Sequence, residues 1–527
     1  MLRERAIAAF DRAMAELGQE SCAEPARAVL REQRGRLLST LRVALVGRVS
    51  AGKSTLVNAL LGCHRVATGV EELTYNVNWL RYGEQPGIVV RFRDGRPGQR
   101  RELADLERMT VSARDDPALQ EFLSSIDYIE VSDPSPQLRD FDLVDTAGLD
   151  SHFLADSANT LRFLGRTGEQ VRADTVAHAS MADALVLVFA RGLARGEAEL
   201  LADFRGAGLA TATPITAIGA LTKVEMYWPD RDPMAEGRRV AAKIMKDAGA
   251  ARLLFDLRPI ASLVAAGAAT LPESEFADLS QLARLPPDLL ARRAGLGPLF
   301  TSRDYDDIPV PATRRRALFG RLGGYGIVLG CALIRDGMDN ADGLRRELIE
   351  RSGMPAFRNL LTGHFGNRAD VIKLQRVITV LQERQQPIRT ALPPRERLRM
   401  DAAFAEVTRL GFAEHAFAEL AALQRYYDGR LELTDAEAAE LLRITGEHGS
   451  SPATRLGLPA QATAGALLAR ARERLAYWAT YAAEPSHSGP TRRAGQIIQR
   501  SYELLIRESE KPARGHLQDP RQATGAA

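Results

Sequence analysis

Residues 41–62 read LRVALVGRVSAGKSTLVNALLG, and this stretch decides the fold. Leu41 to Val46 form a continuous apolar run of the kind that fills a strand buried on both faces of a parallel sheet. A helical pattern, STLVNALL, follows at once. The turn between them, Gly47-Arg48-Val49-Ser50-Ala51-Gly52-Lys53-Ser54, satisfies G-x-x-x-x-G-K-[ST] in the strand-to-helix context that this motif requires. Gly47 and Gly52 let the backbone close around a phosphate. N–H groups from Gly47 to Thr55 then point inward, with the positive end of the helix behind them. Lys53 adds a compact charge for the β- and γ-phosphates, and Ser54 a hydroxyl for Mg²⁺.

Working outward, strands are predicted at 77–82, 88–92, 129–132, 141–145, 184–190, 216–221 and 258–261, most of them separated by helical stretches. This alternation predicts a doubly wound α/β sheet. YNVNWLRYG and IVVRFRDG, joined by EQPG, predict an antiparallel hairpin at the sheet edge, so the sheet is mixed and mostly parallel.

Three further motifs complete the candidate site. FDLVDTAG puts Asp145 and Gly148 at a strand's C-terminal end, where α/β sheets bind ligands. Asp145 is expected to hold Mg²⁺ through water, and the Gly148 amide to reach the γ-phosphate. Thr74, with Thr68 as its competitor, is the candidate to close over Mg²⁺ and the γ-phosphate; the plainer alternative is a threonine that merely favours the adjacent strand. LTKVE supplies Thr222, Lys223 and Glu225. A carboxylate there accepts from guanine N1–H and N2–H, and charged hydrogen bonds of this kind contribute roughly 1.5 to 3 kcal/mol each. Glu225 stands where Asp is commoner. Residues 258–262, RPIAS, form a weaker fifth element. No glutamine follows Gly148, so water must be positioned otherwise. Ser50, Thr74 and P-loop carbonyls, with a monovalent cation, are expected to assemble when two such domains face each other. Arg48 is either a solvated surface arginine or a charge supplied to that assembly.

Composition bounds the rest. A chain of 527 residues, 45% hydrophobic and 26% charged, is a soluble globular protein of two or three domains. A net charge of +3 is too small for a whole-chain nucleic-acid binder, and no DNA partner is expected. Cys22, Cys63 and Cys331 are widely spaced, as in a reducing cytoplasm. The first residues alternate charged and apolar side chains, unlike a signal peptide. Among 70 basic residues only Lys53, Lys223, Lys243, Lys246, Lys373 and Lys511 are lysines, so a retained lysine marks a place that wants a compact ammonium.

Residues 1–39 are expected to form two amphipathic helices, 40–303 the nucleotide domain, 304–511 an all-α bundle and 512–527 a disordered tail. In the bundle, Phe357, Leu361, Phe365, Ile372 and Leu381 mark one helix, and apolar positions from Phe404 to Tyr427 another. QQPIRTALPPRER between them is expected to be a tip loop because of its prolines. The apolar window 322–334 is too short for a membrane span.

GRVSAGKSTLVNALLG, TGVEELTYNVNWLRYG, LVDTAGLDS and LTKVE together resemble bacterial dynamin-like proteins, the isoniazid-induced proteins of mycobacteria above all. GRLGGYGIVLGCALIRDG, LIERSGMPAFRNLL, FGNRADVIKLQRVITVL and LLRITGEHGSSPATRLGL extend the resemblance over nearly the whole chain. It implies a GTPase head binding GTP or GDP with Mg²⁺, on a helical neck and trunk whose C-terminal helices pair with the N-terminal ones. It also implies GTP-linked binding, tethering or remodelling of membranes, peripherally at the inner face of the plasma membrane. Head-to-head self-association and work beside a second dynamin-like chain are implied too. Val49 departs from the polar glutamine of eukaryotic dynamins. Arg384, Arg389, Arg395, Arg397 and Arg399, with Ile388 and Leu392, are the candidate contact with anionic lipid, or else an ordinary solvated loop. The competing reading is a regulatory switch that binds a protein or RNA partner without deforming a bilayer.

Overall fold

The computed structural model of the chain describes residues 2–18, 21–48, 50–66, 77–110, 117–146, 181–190 and 213–510. Val49, Thr68, Thr74, Gly148 and the tail 512–527 lie outside the described residues. The chain divides into two compact units, 1–409 and 410–527.

The first unit is organised by one sheet. Its strands are β1 (Leu41–Gly47), β2 (Val77–Tyr82), β3 (Gly87–Phe92), β4 (Gln99–Arg101), β5 (Ile126–Asp133), β6 (Phe141–Asp145), β7 (Ala184–Ala190), β8 (Ala217–Thr222) and β9 (Leu257–Pro259). They lie in the order β4-β3-β5-β2-β6-β1-β7-β8-β9. From β6 to β9 every neighbouring pair is parallel, and these strands are buried almost throughout, as their continuous apolar runs require. β2 is antiparallel to β6, and β3 is antiparallel to β4 and β5. The sheet is therefore mixed and mostly parallel.

The expected edge hairpin does not form, because β5 lies between β2 and β3, parallel to the first and antiparallel to the second. Crossing one intervening strand spans about 10 Å. The four residues of EQPG reach that far as easily as they close a tight turn. The outer edge is instead β4, which the sequence pattern did not signal.

Helices complete this unit. Ala312–Arg335 satisfies the length and composition of a membrane span, but it lies in the core against Ser262–Ala269, Glu273–Leu282 and Pro287–Gly295. Leu318, Leu322, Ile327 and Cys331 are fully buried there. So is Arg315, whose guanidinium donates to the carbonyls of Phe300 (2.9 Å) and Val310 (2.8 Å). The N-terminal helices, Leu2–Leu17 and Glu24–Leu38, pack on Pro394–Thr408 and Ala369–Ala391 respectively. Lys373, buried, donates to the carbonyls of Leu37 (2.8 Å) and Ser39 at the end of the second of these helices. A compact ammonium suits that place.

Two expectations about the helices are corrected. The segment around Pro387 is helix: Ala369–Ala391 runs through it, and only Leu392 and Pro393 separate it from Pro394–Thr408. Pro387 and Glu383, whose carbonyl loses its partner, are both exposed, so water takes the bond. The two long apolar periodicities are also interrupted. Met354–Leu361 passes into a π-helical turn, Thr362–Gly366, before Ala369. Phe404 to Tyr427 is divided among Pro394–Thr408, Leu410–Ala413 and His415–Tyr427.

The second unit is helical in all its described elements. Ala464–Ala483 and Gly489–Ser509 pair along their length. Glu440 is buried between them and accepts from Arg474 (2.7 Å), Trp478 Nε1 (2.9 Å) and the Tyr502 hydroxyl (2.5 Å).

Candidate nucleotide site

β1 ends at Gly47, and the helix Lys53–Leu61 begins six residues later. Glycine is obligatory at position 47: a Cβ there would stand 2.5 Å from the Val188 carbonyl oxygen on β7. Gly52 turns the chain into the helix at φ 89°, and Ser50, exposed on the loop, also adopts a left-handed φ of 56°. That region is costly for a residue with a side chain, and such strain gathers at ligand clamps.

Lys53 is 7% exposed, and its ammonium donates to the carbonyls of Gly47 (3.3 Å) and Arg48 (3.0 Å). Burial pulls its pKa down to about 8, against the opposing pull of Asp145. Asp145 closes β6, in register with Leu45 of β1. Its Oδ2 accepts from the Ser54 hydroxyl at 3.0 Å, while Oδ1 is buried without a partner. Burial raises this carboxyl to about 6, with Lys53 and then the Ser54 bond opposing. Lysine, serine and aspartate thus meet at the C-terminal edge of the sheet. The orphaned carboxylate oxygen beside a hydroxyl is the hard oxygen donor set that Mg²⁺ takes.

The residues expected at the base, Thr222, Lys223 and Glu225, lie at the end of β8 and just after it. Thr222 is fully buried, and its hydroxyl sits between the carbonyls of Ala51 and Phe189 (3.0 Å), which ties the P-loop to β7 and β8. Lys223 has a left-handed φ of 58°, and its Cε would stand 3.9 Å from a Cβ at position 52. Its stem therefore runs beside the P-loop. Glu225 is 8% exposed; Oε1 accepts from the Leu263 N–H at 3.2 Å, and Oε2 is buried without a partner. Burial raises its pKa to about 7.

The fifth element, read from 258–262, stops one residue short of the group that bonds Glu225. The group that reaches it, the Leu263 backbone N–H, carries no sequence signal. Arg358 is equally silent in the sequence. It donates to the carbonyls of Ala59 and Leu60, both at 2.7 Å, and so caps the far end of the P-loop helix. The Ala261 N–H donates to Ser352 O at 2.9 Å, and His364 Nε2 pairs with Pro214 O at 2.8 Å while its ring stacks on Phe255. Thr55 lies in the first turn of the P-loop helix, with no role assigned by its contacts.

The pattern that defines the Dynamin family matches residues 43–190, from β1 through β7. The isoniazid-induced protein IniC of Mycobacterium tuberculosis is 32% identical over 481 residues, covering 90% of this chain and 91% of that one. Dynamin-like protein 2 of Campylobacter jejuni is 29% identical over 112 residues, covering 21% of this chain and 17% of that one. Among solved structures, one described as an oligomerised bacterial dynamin pair that senses and tethers membranes at long range aligns with TM-score 0.32 and 11% identity. That alignment covers 95% of this chain and 90% of the other. With a Walker A unit at the head of the matched domain and a relative spanning both sequences almost entirely, the chain belongs to the bacterial dynamin-like proteins and is a GTPase that binds GTP and GDP.

Proposed function

We propose that this GTPase uses GTP hydrolysis to drive binding, tethering or remodelling of a membrane, acting peripherally at its cytoplasmic face. The observation that carries the nucleotide half of this reading is the meeting of Lys53, Ser54 and Asp145 at the end of β1 and β6. In it, Lys53 leaves the Gly47 and Arg48 carbonyls for the β- and γ-phosphates, and backbone N–H groups of residues 47–55 cradle the phosphate tail. Ser54, Asp145 and Thr74 would hold Mg²⁺, which supplies neutralising charge to the phosphates. Lys223 covers the base, and Glu225 reads guanine while the Leu263 N–H holds its other oxygen.

Ser50 stands exposed on the P-loop, open to a second copy. With Thr74, Gly148, P-loop carbonyls and a monovalent cation, it would complete water positioning across a head-to-head dimer. A second dynamin-like chain is the other candidate partner. For the membrane, the turn at Leu392 and Pro393 exposes Arg384, Arg395 and, most of all, Leu398 (71%). Leu392 is buried, and Arg389 pairs with Asp401 at 3.0 Å. The contact with anionic lipid therefore rests on fewer residues than the arginine count implies.

GTP hydrolysis measured against protein concentration, with and without anionic liposomes, tests this reading. Specific activity rising with concentration and with liposomes is expected, and Lys53→Ala should show neither. A flat concentration dependence removes dimer-assembled catalysis, and indifference to liposomes together with no pelleting removes the membrane.

A further inference from the structure

Asn78 is fully buried on β2, and neither its Oδ1 nor its Nδ2 has a hydrogen-bond partner. An amide left unpaired in the interior destabilises the fold, and buried polar side chains are otherwise nearly always satisfied. Its surroundings explain the anomaly. β2 pairs with β6 and β5, with Asn78 directly opposite Asp145 on one side and Ile129 on the other. Residues opposed in this way share a face of the sheet with Cβ atoms about 5 Å apart. On that face Leu80 follows Asn78, facing Leu143 and Val131, all buried. Asp145 is thus the one polar side chain at a position directly paired with Asn78, and its Oδ1 is likewise a buried polar atom without a partner. The two deficits are complementary: a carboxylate oxygen accepts, and an amide carries two N–H donors.

We propose that Asn78 is a positioning residue for the metal-side carboxylate, its amide donating to Asp145 Oδ1, directly or through one water, when the nucleotide and Mg²⁺ are bound. The proposal rests on the reading of Asp145 as that carboxylate. An amide so placed holds the Asp145 rotamer and favours its ionised form, because hydrogen bonds to a charged acceptor are stronger than neutral ones in a dry interior. It also accounts for a strand that keeps a polar residue at an inward position, at a cost to stability, within the apolar run VNWL.

The test uses the full chain and Asn78→Leu, which keeps size and removes the amide. Dissociation of a fluorescent GDP analogue is followed while free Mg²⁺ is titrated, and thermal unfolding is recorded separately without nucleotide or metal. For Asn78→Leu we expect the Mg²⁺ concentration that half-maximally slows dissociation to rise about tenfold. The Mg²⁺-free dissociation rate should stay unchanged, and the unfolding temperature should be equal or higher. Asn78→Thr, which keeps a donor, should recover part of the shift, and it carries the test alone if the leucine variant does not fold. An unshifted Mg²⁺ dependence in the folded variants overturns the proposal. So does a lower unfolding temperature with equal weakening in the presence and absence of Mg²⁺, which marks a purely structural residue. If the unaltered chain itself shows no Mg²⁺-dependent retention, the reading of Asp145 has failed and not the role of Asn78 alone.

Discussion

The two ends of the nucleotide site stand on one sheet and are held in opposite ways. At the phosphate end, among the described residues, nearly every part comes from a single stretch, Gly47 to Thr55, and Asp145 is brought in from the adjacent strand β6. At the base end the parts come from separate places. Thr222 and Lys223 close β8, Glu225 begins the next turn, and the carboxylate is pinned by Leu263 after β9. Leu263 is in turn fixed from further along the chain: Ala261 is bonded to Ser352, and a Cβ on Gly353 would come within 2.6 Å of the Pro259 carbonyl oxygen. The phosphate end is thus a local structure that needs little support, whereas the base end depends on the docking of helices almost a hundred residues away. Arg358, which caps the P-loop helix from that same helical segment, ties that segment directly to the phosphate end's helix.

If this contrast holds, the largest effect belongs to the local end. Lys53→Ala removes the buried ammonium of the cradle, and charge-assisted bonds to phosphate lost in this way cost about 3 kcal/mol, or at least a hundredfold in affinity. Calorimetric titration should show that loss for GTP and GDP alike. The folded state should be no less stable, because burying the ammonium costs stability.

The base end should respond more selectively. Glu225→Gln should lower the preference for GTP over ATP by about tenfold, the value of one charged hydrogen bond at the low end of its range. It should raise the melting temperature of the nucleotide-free chain at pH 8, where a buried charge is replaced by a neutral amide. Equal losses for GTP and ATP would contradict the assignment of Glu225 to the base.

The effect spread over the widest range of conditions is on pH dependence. Asp145 and Glu225 have folded-state pKa values raised to about 6 and about 7. Groups raised in this way stabilise the nucleotide-free fold below their unfolded values, and that stability is lost as pH rises through the folded values. Unfolding measured from pH 4 to 7 should show the loss, at most about 3 kcal/mol per group. Lys53, lowered to about 8, acts in a separate window, restoring stability between about pH 8 and 10.5. Nucleotide binding that ionises Glu225 should release part of a proton at pH 6.5. Calorimetry in buffers of different ionisation heat should detect that release, and Glu225→Gln should remove most of it, leaving the smaller share from Asp145.

The contrast also explains what could be read in advance. The parallel core of the sheet, β1, β7 and β8 above all, was legible because strands buried on both faces are continuous apolar runs, and the P-loop because its residues are consecutive. The β2, β3 and β5 arrangement was not, since a four-residue link serves a hairpin and a crossing equally. Pro387 was misread because the penalty for a helical proline depends on whether water can reach the freed carbonyl. The apolar periodicity from Phe404 to Tyr427 registered a buried face but not its interruptions at Arg409 and Glu414. The scarcity of lysine did carry information: Lys53 and Lys373 each hold a buried ammonium against backbone carbonyls.

Chemical type and local geometry were thus determined by the sequence: a strand, a phosphate-sized turn with its lysine and serine, a carboxylate at a strand end, and the tetrapeptide Thr222 to Glu225 that follows another strand. These depend on residues within a few positions of one another, whose backbone preferences and side-chain chemistry act locally. Only the tertiary structure decided which backbone N–H holds Glu225, which arginine caps the P-loop helix, and that Asn78 faces Asp145. Such contacts join positions tens or hundreds of residues apart, where strand order and helix docking, not local preference, set the distance.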